Sequence, residues 1–104
     1  MILYGLRTCE SCRKALKALP QARFRDVRSD GVPDEVLAAA WARFGAALIN
    51  TRSATWRGLD GVERAADPLA LLRRHPTLMK RPLIVDGARL FLGAEAAGQA
   101  MAGR

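Results

Sequence analysis

With 104 residues, half of them apolar, the chain is long enough for one hydrophobic core and too short for two, so one compact domain with one site is expected. No run reaches the ~18 consecutive apolar residues of a membrane span, and the opening MILYGLR is interrupted too early for a signal-peptide apolar region. A cytoplasmic protein with no membrane partner is therefore expected. The formal net charge of +7 suits an anionic partner. However, the arginines (Arg7, Arg23, Arg43, Arg57, Arg64, Arg89) are scattered, with no basic block or aromatic-interleaved stripe, which argues against direct nucleic-acid binding.

In chain order, Met1 to Leu6 is a short apolar run bounded by Arg7 and Thr8 and reads as a buried strand. Cys12, Ala15, Leu16 and Leu19 then recur at helical spacing, with Arg13, Lys14 and Lys17 turned the other way, and Pro20 ends that amphipathic helix. Arg23 to Val27 alternates like a second strand, and Asp30-Gly31 marks a turn. Pro33, Asp34 and Glu35 form a helix first turn, with Val36, Leu37, Ala40, Trp41 and Phe44 as its buried stripe and Gly45 as its stop.

Leu48 to Trp56 reads as a polar loop. Asp60 with Glu63 makes a capping box for a short helix, and Asp67-Pro68 opens another that closes on Arg73, Arg74, His75 and Pro76. The middle of the chain, about 33–75, is thus a helical insertion. Leu83-Ile84-Val85, Asp86-Gly87 and Arg89 to Leu92 form a β-hairpin signal, with Asp-Gly suited to a type I′ turn. An alanine-rich helix from about Glu95 to Met101 follows. The predicted fold class is α/β: βαβ, helices, then ββα, giving a four-stranded mixed sheet with helices on its faces.

Both cysteines stand at C-x-x-C spacing where a strand gives way to a helix, the thioredoxin arrangement. In a reducing compartment such a pair reads as a reversible dithiol or half a metal site. A structural zinc needs about four ligands, and two cysteines with a distant His75 do not supply them, so no metal is expected. His75 is read instead as a helix-end residue meeting the helix dipole. If Cys9 precedes the first helical turn, unpaired backbone N–H groups and the helix dipole stabilise its thiolate. Arg7, Arg13 and Lys14 add to that field and Glu10 opposes it.

Cys12, one turn on, lies on the same face, within reach of an adduct on Cys9. Cys9 is then the attacking thiol and Cys12 the resolving one, although Cys12 also fits the helix stripe simply as a small apolar residue. Pro82, after Arg81, marks a strand start or a cis bond. In a thioredoxin-like sheet that point approaches the cysteine loop. Arg52, in the polar Thr51-Arg52-Ser53 loop, offers a forked donor to an oxyanion or carboxylate, and also reads as an ordinary solvated charge.

The segments TCESCRKAL, INTRSATWR and HPTLMKRPLIVDGARLFLG together resemble, in order and spacing, the arsenate reductase-like (ArsC) family, which includes Spx-type regulators and YffB-type proteins. The resemblance implies a thioredoxin fold with an inserted helical segment and a nucleophilic Cys9. It also implies an anion-facing Arg81 beside a cis Pro82, and Arg52 as the other anion-binding arginine. The C-x-x-C is similar to the redox switch of Spx-type members, whose implied partner is RNA polymerase. Arsenate reductases of this type carry a further arginine where this chain has Leu92, so a weakened arsenate site is expected.

GLRTCESC and LINTRSATWR are most similar to YffB-type members, which implies glutathione-linked thiol chemistry. The leading expectation is a thiol oxidoreductase, with Cys9 and Cys12 reacting and Arg81, Pro82, Arg52 and Arg13 around the substrate. No bound cofactor is expected; glutathione or a thioredoxin would be the reductant, and the chain would act as a monomer. The competing expectation is an Spx-type redox-sensitive transcriptional regulator.

Overall fold

The computed structural model describes residues 1–102. They form two compact units, one of Met1–Asp30 with the described residues from Arg81 onward, the other of Gly31–Lys80. The segment expected as a helical insertion lies inside the second. Among the described residues no helix is long and apolar enough to cross a membrane.

The first unit is a four-stranded mixed sheet of β1 (Ile2–Gly5), β2 (Arg23–Asp26), β3 (Leu83–Asp86) and β4 (Arg89–Leu92) in the order β2-β1-β3-β4. β1 runs parallel to β2 and antiparallel to β3, and β3 and β4 make an antiparallel hairpin. Alternation along the strands sets Phe24, Leu3, Ile84 and Phe91 side by side across all four. Onto that row pack Cys12 and Ala15 of α1 (Glu10–Ala18), Leu19 at its C-cap, and Ala96, Ala97 and Ala100 of α7 (Ala96–Ala102). Small residues on both helices let their backbones approach the sheet closely. The opposite side of α1 carries Arg13, Lys14 and Lys17 into solvent, as the 3.6-residue period requires.

Two details here differ from the sequence-based expectation. The strand expected to run to Val27 stops at Asp26, whose carboxylate accepts the N–H groups of Arg28 (2.8 Å) and Ser29 (3.1 Å). That acceptor starts the single helical turn α2 (Val27–Asp30). The Ser29 N–H, the strongest influence on this carboxyl, holds it below the usual aspartate range. In the hairpin, Asp86 pairs with Arg89, so the two loop residues are Gly87 and Ala88. Among the described residues only glycines take positive φ, Gly87 at +61°, so the turn has the II′ pattern of glycine at its first central position, not the expected I′ with Asp-Gly.

The second unit contains α3 (Asp34–Phe44), α4 (Ala54–Arg57), α5 (Gly61–Arg64), α6 (Pro68–Arg74) and 3₁₀ turns at Gly45–Leu48 and Pro76–Leu78. Gly45, at φ +57°, stops α3 with its N–H on the Trp41 carbonyl. Of the expected loop over Leu48 to Trp56, residues 50–53 are a loop, while its two ends belong to a 3₁₀ turn with an isolated bridge between Ile49 and Met79, and to α4. Backbone bonds from Asn50 N–H to Leu78 O (2.9 Å) and from Lys80 N–H to Leu48 O (2.8 Å) fix that bridge. Of the expected capping box, Asp60 accepts the Glu63 N–H at 2.8 Å, but the Glu63 carboxylate lies 3.4 Å from His75 Nε2.

Arg64 donates to the Trp56 carbonyl (3.2 Å) and lies over the Trp56 ring, closing the end of α4. His75 ends α6 with its N–H on Leu71 O. At the start of α6, Asp67 accepts the Ala70 N–H (3.1 Å) and Pro68 occupies the first turn. Asp67→Ala is expected to cost ~1 kcal/mol in urea unfolding, with Asp67→Asn retaining most of the wild-type stability.

Candidate active site

β1 ends at Gly5, and a tight turn in which the Cys9 N–H donates to Leu6 O (3.1 Å) delivers the chain to α1. Cys9 is the N-cap, with extended φ/ψ of −82° and 121°, and its carbonyl accepts the Arg13 N–H at 3.0 Å. Its side chain is half-buried, while Cys12, on the inner face of α1, is 0% exposed. Both are free thiols. A reagent arriving from solvent therefore meets Cys9 and not Cys12.

Burial pushes the Cys9 thiol up, but three donors outweigh it: the Cys12 N–H, the Cys12 thiol and the Arg81 guanidinium. The result lies below the ordinary thiol range. The Cys9 side chain accepts no capping hydrogen bond, and the nearby Cys12 N–H favours its charged form. Cys12 behaves oppositely. Burial, together with the adjoining Cys9, pushes it up to about 12, against smaller help from the Leu6 N–H and Arg81. Two thiols one helical turn apart are thus shifted in opposite directions, Cys9 toward thiolate and Cys12 toward thiol.

Arg81 reaches this pair because β3 lies beside β1 in the sheet, and the Arg81-Pro82 bond preceding β3 is cis. The Pro82 carbonyl accepts the Gly93 N–H (2.9 Å), which ties this turn to the end of β4. Arg13 is exposed on α1. Lys14 pairs with Glu10 at 3.5 Å, and the Arg7 guanidinium lies 4.5 Å from the Phe24 ring centroid. Leu92 closes β4, half-buried.

Arg52 belongs to the second unit. There it lines an open cleft of about 690 Å³ with Ala46, Ala47, Ile49, Asn50, Thr51 and Lys80. Its N–H donates to Asn50 Oδ1 at 3.0 Å, an arrangement that shapes the loop and leaves the guanidinium exposed. Sequence reasoning passed over Lys80 in this cleft. It also passed over Gly5 and the Leu6 N–H, which face the Cys12 sulfur. A glycine closing an apolar strand was the available signal for close approach of another group. Among the described residues no three His, Cys, Asp or Glu side chains stand together as a metal-binding group.

A four-stranded mixed sheet, a cysteine at the N-cap of the helix after β1 and a cis proline just before β3 define a thioredoxin-like protein. The chain belongs to the ArsC family, whose sequence profile matches residues 4–99. An uncharacterised protein of Haemophilus influenzae is 37% identical over 100 residues, covering 88% of each chain. The solved structure of a protein called YFFB superposes with a TM-score of 0.83 at 28% identity, covering 97% of this chain and 96% of that one. An arsenate reductase-related protein from Brucella melitensis gives 0.67 at 25% identity, over 88% and 84%.

Two outcomes follow from the thiol environments. In a Cys12→Ser chain, the alkylation rate of Cys9 should rise with pH through a midpoint below that of an ordinary thiol. Arg81→Gln in that background should move the midpoint up and slow alkylation at pH 7 on the order of tenfold, as losing a charge-assisted hydrogen bond implies. Cys12 acts on stability in the other direction. Its folded form keeps the proton up to about pH 12, whereas the unfolded chain releases it near 9.0. Stability from this group is whole below the unfolded value and is lost as pH climbs through that window. Under reducing conditions, Cys12→Ala should therefore lose less stability than the wild type between these pH values.

Proposed function

We propose that this protein is a cysteine-based thiol oxidoreductase, in which Cys9 attacks an electrophilic sulfur and Cys12 completes the exchange. One observation carries the reading: the half-buried thiol that solvent reaches is the one held toward thiolate, and the fully buried thiol is held protonated beside it. A dithiol built for packing alone would not separate its two members in this way. Membership of the ArsC family and likeness to an arsenate reductase-related protein support a thiol-based reductase.

In the first step the Cys9 thiolate attacks one sulfur of a disulfide such as oxidised glutathione. A bond from Cys9 to that sulfur forms, the old S–S bond breaks, and the other half leaves as a thiolate carrying the electron pair. In the second step Cys12 gives up its proton and attacks the Cys9 sulfur. The Cys9–Cys12 disulfide forms, the remaining half departs as thiolate, and solvent protonates it. The substrate gains two electrons and the dithiol loses them; reduced glutathione or a thioredoxin reverses the protein's change.

Losing the Cys9 charge in step one also removes what most opposes ionisation of Cys12 after burial itself. Arg81, which favours the charged form of either sulfur, then supports ionisation of Cys12. In this proposal Arg81 also meets an anionic part of the substrate beside Cys9. Arg52 and Lys80 suit a carboxylate or other anion in their own cleft. Arsenate is the poorer substrate, because Leu92 puts no guanidinium at the end of β4 to hold an oxyanion.

Cys9→Ser should abolish reduction of a mixed-disulfide substrate. Cys12→Ser should stop after one step, with a single glutathione retained on Cys9 by intact mass after exposure to oxidised glutathione. A Cys9→Ser protein with wild-type turnover would end this reading.

A further inference from the structure

Gly5 lies in β1, paired with Asp26 of β2, and is buried. It is not among the glycines with positive φ, so nothing in its backbone conformation calls for glycine. A glycine inside a paired strand weakens that strand and loses more chain entropy on folding than any other residue. Its reason must therefore be space. A Cβ built at Gly5 would overlap the Cys12 sulfur and stand 3.2 Å from the Cys12 Cβ, with Leu3 Cδ2 next at 3.3 Å. Two of its three nearest neighbours thus belong to the second cysteine.

The other groups at that sulfur are the N–H of Leu6, the next residue along, the Cys9 side chain and, at longer range, Arg81. The end of β1 is therefore a seat for one atom: no side chain on one residue, a backbone donor on the following one. Cys12 sits on a helix, where one of the three χ1 wells is disfavoured, so a sulfur displaced from this seat has few other positions.

We infer that Gly5 is a positioning residue for the resolving step: its bare Cα leaves the room in which the Cys12 sulfur is held against Cys9. This rests on the thiol-exchange reading above and adds to it the group that aims the second thiol. Attack of Cys12 on the Cys9 sulfur of a glutathione adduct forms the Cys9–Cys12 bond and releases glutathione as thiolate. A thiol misplaced by a fraction of an ångström loses much of the advantage of proximity.

The experiment compares Gly5→Ala with the wild type in the full chain, in two arms. In the first, Cys9 is loaded with oxidised glutathione and release of the second glutathione is timed. Closure is expected to slow by about tenfold or more. In a Cys12→Ala background, Gly5→Ala should leave the pH profile of Cys9 alkylation unmoved. Closure at the wild-type rate overturns the proposal.

In the second arm, reduced proteins are unfolded in urea, and the penalty of Gly5→Ala is measured with Cys12 present and with Cys12→Ala. Most of that penalty should vanish when the sulfur is gone. Equal penalties, or a double variant that does not fold, would show that Gly5 serves the strand and not the thiol. A Gly5→Ala chain that folds only together with Cys12→Ala supports the seat. If the wild-type protein takes up no glutathione at all, thiol exchange fails as a function, while the unfolding arm still decides what Gly5 accommodates.

Discussion

The structure of the site depends on how closely the start of α1 can approach the end of β1. Cys12 is a core residue of the sheet-facing side of that helix, packed among Leu3, Ile84 and the alanines of α7, and it is a thiol at the same time. Burying it completely fixes the helix against the strand. The Leu6–Cys9 turn then leaves Cys9 at the N-cap, half in solvent. Packing and reactivity are set by the same contact, because the face that buries one sulfur exposes the other.

Sheet order supplies the charge that this contact needs. An antiparallel β3 beside β1 brings Arg81, distant in the chain, to the cysteine pair, and the hairpin to β4 holds the turn in place through the Gly93 N–H. The guanidinium favours the ionised state of whichever cysteine carries charge, since it lowers both. Helix terminus and arginine act against burial on Cys9 and win; on Cys12 burial wins. The difference comes from depth, with the same chemical group in both places.

Much of this was legible in the residues. The spacing of Cys12, Ala15, Leu16 and Leu19 announces α1, and the alternation of β2 and the Leu83–Leu92 hairpin give three of the four strands of the sheet. Cys9 was readable as a helix-start thiol because the strand before it and the helical period after it leave it at the junction. Two of the short elements were not readable: α2 and α4 have four residues each, too few for a period to show, and their starts rest on single side chains, Asp26 and Ser53, whereas the equally short α5 was announced by Asp60 and Glu63.

The hairpin type depended on whether Asp86 or Ala88 joined Gly87 in the loop, a matter of cross-strand register more than composition. Gly5 escaped notice because its meaning is tertiary: nothing near it in the chain says that a sulfur will lie over its Cα. Lys80 was hidden for a similar reason, since the backbone bridge to Leu48 is what carries it to the cleft of Arg52.

The outermost strand β2 bears on how the sheet is bounded. One of its sides is hydrogen-bonded to β1, and along it Arg23 and Arg25 stand exposed at alternate positions. An unpaired strand edge is a template for another chain, and a second β2 laid against it would set guanidinium opposite guanidinium. These two arginines belong to a high positive charge that, in sequence, suggested only an anionic partner. At the edge they act between like molecules, because like charges set opposite one another across a strand pair are destabilising and so disfavour a fifth strand from a second copy.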